Sequence, residues 1–82
     1  MRMVCISKSN DIAVGLRLAG VESFIIRKDE EILKKIDELS MLDDIAIINV
    51  TEKVYEIAKH KLDEITEKRQ LPLILKIPNT KD

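Results

Sequence analysis

Asp43-Asp44-Ile45-Ala46-Ile47-Ile48-Asn49-Val50-Thr51 is the stretch on which the fold turns. Between Ile45 and Val50 only Asn49 is polar, and the apolar residues follow one another without alternating. A strand wetted on one face alternates with period 2, whereas an unbroken apolar run fits a strand of a parallel sheet covered by helices on both faces. The neighbouring residues agree. After Thr51, the residues Val54, Ile57, Ala58, Leu62 and Ile65 recur at helical spacing, while Lys53, Glu56, Lys59, Asp63 and Glu67 form a solvated face and Tyr55 lies off the apolar stripe. A buried strand running directly into an amphipathic helix is the repeating half of a βαβ unit.

Working outward, Met1 to Ile6 and Ser23 to Arg27 are further short apolar runs bounded by turn formers. Leu71 to Ile77 supplies the last strand; Pro72, Pro78 and Lys76 suit a sheet edge, because proline cannot donate to a ladder and a charge deters stray pairing. A first helix is expected from about Asp11 to Ala19, capped by Asn10 or Asp11 and stopped by Gly20 in a left-handed conformation. A second is expected after Asp29, whose carboxylate, with Glu30 and Glu31, suits the positive end of a helix, and Ile32, Leu33, Ile36 and Leu39 share one face of it. The predicted fold is α/β: an open four-stranded parallel sheet of order 2-1-3-4 with helices on both faces, Rossmann-like or receiver-like. Residues 1–78 make one domain and 79–82 a tail; a helical bundle is the alternative.

The totals bound the function. Eighty-two residues allow one core, and a domain of this size buries only about 60% or slightly more of the surface its unfolded chain would expose, so a permanent partner would add stability. Hydrophobic residues at 45% and charged ones at 35% describe a folded, well-solvated chain. With 14 basic against 15 acidic residues, and Phe24 and Tyr55 the sole aromatics, nucleic acid is not expected as a partner. Cys5 stands alone, which excludes an intrachain disulfide and a multi-thiolate metal centre and fits a reducing compartment. The run from Met1 to Ile6 is too short for a signal-peptide core, and no apolar run approaches the roughly 20 residues a membrane span needs, so the expected location is cytoplasmic without membrane insertion.

In such folds ligands bind outside the carboxyl ends of the strands, and the residues there are chemically quiet. Ser7-Lys8-Ser9-Asn10-Asp11 contains no glycine to bring backbone amides to a phosphate, and Gly15 and Gly20 come too late for that. Gly15 reads better as a small residue that lets the first helix approach its neighbours. The pattern resembles the receiver domain of bacterial response regulators, but the position of that family's phosphorylated aspartate falls on Asn49 or nearby Val50, neither of which can form an acyl phosphate. Asp11 alone makes a poor metal site, and Asn49 is expected to satisfy loop backbone groups. Cys5, set against the phosphotransferase-system domains that carry a cysteine near the end of the first strand, lacks their glycine-containing loop and reads as a small buried hydrophobe. His60, between Lys59 and Lys61, reads as a solvated helix residue, and Glu30-Glu31 with Lys34-Lys35 as exposed ion pairs. No catalytic residue, cofactor site or metal ligand is predicted.

Two segments carry a resemblance. Gly15-Leu16-Arg17-Leu18-Ala19-Gly20-Val21 and the proline-bracketed Pro72-Leu73-Ile74-Leu75-Lys76-Ile77-Pro78, in this order and spacing, resemble the F subunit of V-type and A-type rotary ATPases, over nearly the whole chain. The resemblance implies a non-catalytic component of the central stalk that binds the coiled coil of the D subunit, turns with it, and helps couple ATP hydrolysis or synthesis to ion transport. It would be peripheral to the membrane through the complex. It also implies a linker and C-terminal helix beyond the last strand; with Asn79-Thr80-Lys81-Asp82 at its end, this sequence reads as a short form without that segment. Ile12, Leu16 and Ala19 form the first helix's expected core face. Val14 and Leu18, on another side, with Arg17 beside them, are therefore the expected partner-binding residues, and they allow self-association of the isolated chain.

Overall fold

The computed structural model describes residues 1–9 and 19–78. Along the chain these form β1 (Arg2–Ser7), β2 (Glu22–Ile25), α1 (Asp29–Ser40), β3 (Ile45–Thr51), α2 (Glu52–Lys68) and β4 (Leu73–Ile77). The strands make one sheet of order β2-β1-β3-β4, and every pairing is parallel. Both the α/β class and the order expected from the sequence are found.

Register divides the sheet into two faces, because successive strand residues point to opposite sides. Val4 aligns with Ile48 and Ile48 with Ile74; Ile6 aligns with Phe24 and Val50. Val4, Ile6, Ile48 and Val50 pack against Ile32, Ile36 and Leu39 of α1 and Val54, Ala58 and Leu62 of α2 in one core. Each fully buried Val, Leu or Ile side chain here contributes about 1.5–3 kcal/mol. Leu33, Ile57 and Ile65, on the margins of the two helical stripes, are half-buried against that core. The other face carries the rows Met3-Ile47-Leu73 and Cys5-Asn49-Leu75, with Thr51 aligned to Ile77.

Helix boundaries follow local chemistry. Thr51 caps α2, its Oγ1 accepting the Val54 N–H at 3.3 Å, so one residue both closes the strand and opens the helix. At α1 the expectation is corrected by one residue: Asp29 lies inside the helix, and Lys28 occupies the cap position with no side-chain bond. The Lys28 carbonyl accepts the Glu31 and Ile32 amides, both at 3.1 Å. The Asp29 carboxylate is held by Lys8 at 3.2 Å.

The helices are joined at their surfaces as well. Lys61 of α2 pairs with Asp37 of α1 at 2.9 Å, and the guanidinium of Arg69, just beyond α2, donates to the Ser40 carbonyl at the end of α1. Ala58 departs from helical geometry, with φ −108° and ψ 17°, and kinks α2. Across that kink the Tyr55 hydroxyl donates to Asp63 Oδ1 at 3.0 Å.

The helix expected at Asp11–Ala19 falls almost wholly outside the described residues, as does the tail at 79–82. Its stop is described: Ala19 and Gly20 form a turn, and Gly20 has φ +87°. A Cβ there would meet nothing within 4 Å, so glycine is favoured by backbone conformation and not by crowding.

Candidate partner-binding surface

The carboxyl ends of β1 and β3 carry short polar side chains that hold the backbone in place. Ser7 Oγ donates to the Ser9 carbonyl at 2.7 Å. Asn49, only 9% exposed, donates from Nδ2 to the Val4 carbonyl at 3.1 Å. Its work is therefore to bind strand β1, not a loop as the sequence suggested. Val50, the other position considered for phosphate, is fully buried among the residues facing the helices. Cys5 is fully buried, as a small hydrophobe would be.

At the opposite end of the sheet, Arg2 pairs with Glu22 at 3.3 Å and with Asp44 at 3.0 Å. These three residues tie the beginnings of β1, β2 and β3 together. No sequence pattern marks them, because the partners are distant along the chain. Their side chains are 41–59% exposed, so each pair is worth about 1 kcal/mol or less.

Spacing alone assigns Tyr55 no role. Its ring is half-buried against the core, Lys76 Nζ lies 4.7 Å from the ring centre, and its hydroxyl is engaged by Asp63. The hydrogen bond to the Asp63 carboxylate, with burial and the nearby negative charge, raises the phenol above its ordinary value of 10.0. Asp63, expected on a solvated face, is thereby half-buried. Lys35 pairs with Glu38 at 3.0 Å and sits over Phe24, a different pairing from the Glu31 contact suggested by helical spacing. His60 is exposed, as expected.

Exposed large apolar side chains gather along β4 and at the end of the sheet where the strands begin. Leu73 is 52% exposed and Leu75 47%; Leu71 precedes them, and Met3 lies in the same row as Leu73. An apolar run cannot reveal which of its faces is covered, so the sequence did not separate Leu73 and Leu75 from half-buried Ile74. Val14, Arg17 and Leu18, the expected partner-binding residues, lie outside the described residues.

Residues 3–82 match the family described as ATP synthase (F/14-kDa) subunit. The chain belongs to this family. Among curated relatives, it is 37% identical over 70 residues to the F subunit of the A-type ATP synthase of Methanocaldococcus jannaschii, covering 84% of this chain and 66% of that protein. It is 31% identical over 77 residues to the F subunit of the A-type ATP synthase of Methanothermobacter thermautotrophicus, covering 93% of this chain and 72% of the relative. The matched stretch thus spans about two thirds of the length of these relatives. A crystal structure of the F subunit of the V-type ATP synthase from Archaeoglobus fulgidus shares the fold with a TM-score of 0.69 at 21% identity, covering 93% of this chain and 96% of that one. The family suggested by Gly15–Val21 and Pro72–Pro78 is the family found. No described helix is long and apolar enough to cross a membrane.

Proposed function

We propose that this chain is a non-catalytic central-stalk component of a V-type or A-type rotary ATPase, which binds the coiled-coil shaft formed by the D subunit and supports coupling of ATP hydrolysis or synthesis to ion transport. The observation that carries the reading is the family match over residues 3–82, reinforced by two relatives named as the F subunit of A-type ATP synthases. ATP chemistry belongs to other components of the complex, and this domain acts as a collar on the shaft, cytoplasmic and peripheral to the membrane through its partners. Ser7, Asn49 and Thr51, at the rim where such folds place their ligands, each bond to backbone of this chain, which agrees with a structural role for that rim.

Val14 and Leu18, four residues apart and so on one side of the helix expected from the sequence, with Arg17 beside them there, are the proposed contact with the shaft. Co-expression with a tagged D-subunit coiled coil provides the test. The chain is expected to co-purify with the shaft, and a Val14→Glu, Leu18→Glu double variant to be recovered at least about tenfold less, because a charge is costly at an apolar contact. Circular dichroism of the double variant distinguishes the outcomes: lost folding places the pair in the core, and a folded variant that still co-purifies removes this flank from the interface. Failure of the unaltered chain to co-purify contradicts the reading itself.

A further inference from the structure

We draw no further inference here: the strongest candidate, the partly exposed apolar patch of Met3, Ile47, Leu73 and Leu75 on the face of the sheet turned away from α1 and α2, carries nothing because nothing in the structure shows what covers it.

Discussion

Asn49 is one of the two positions, with Val50, that the sequence set against the reactive aspartate of a receiver domain, and its amide is committed to the Val4 carbonyl inside the sheet. A carboxylate cannot donate that bond and would face a buried carbonyl oxygen. Asn49→Asp is therefore expected to destabilise the domain by about 1–3 kcal/mol, measured by urea unfolding, and to take no label from acetyl phosphate. Wild-type stability together with efficient labelling would contradict both the Asn49–Val4 bond and the exclusion of receiver-type phosphotransfer from this rim. Tyr55 offers a second test at this scale, made clean by the absence of tryptophan and of any other tyrosine. Its ultraviolet titration should have a midpoint above 10.0, and Asp63→Asn should move it back down. Because the folded state favours the protonated phenol, this contribution to stability is fully present below the unfolded value and is lost as pH rises through the higher folded value. A midpoint at or below 10.0 in the unaltered protein would mean that the Tyr55–Asp63 bond does not persist in solution.

At the scale of elements, the two faces of the sheet make different demands. Ile36 on α1 and Leu62 on α2 are essentially fully buried, whereas Leu75 on β4 is 47% exposed. Truncation of Ile36 or Leu62 to Ala should cost about 2–5 kcal/mol, and Leu75→Ala less than half as much, in chemical denaturation. Equal costs would show that the outer face of β4 is as well covered as the core. The boundary between β3 and α2 was legible because an unbroken apolar run gives way at Thr51 to 3.6-residue spacing, and Thr51 is itself a good cap. The beginning of α1 was less so. Asp29 has the chemistry of a cap, but Lys8, far away in sequence, holds its carboxylate, and local pattern carries no record of that contact. The exposure of Leu73 and Leu75 was hidden for a related reason: hydrophobicity reports what a side chain tolerates, while coverage depends on which elements lie over it. Val14, Arg17 and Leu18 rest on helical spacing and on the C-terminal helix that the family resemblance implies.

For the whole molecule, the order β2-β1-β3-β4 places α1 and α2 together over one face, and the polar residues at the strand ends hold backbone. A small domain of this build gains most from a lasting partner, since it buries a modest share of its surface by itself. The family to which it belongs supplies the setting in which that partner is sought. Stalk binding is best tested by calorimetric titration of the chain with a recombinant D-subunit coiled coil. A saturable isotherm at one chain per shaft is predicted; a flat titration of folded chain against folded shaft would contradict the proposed role.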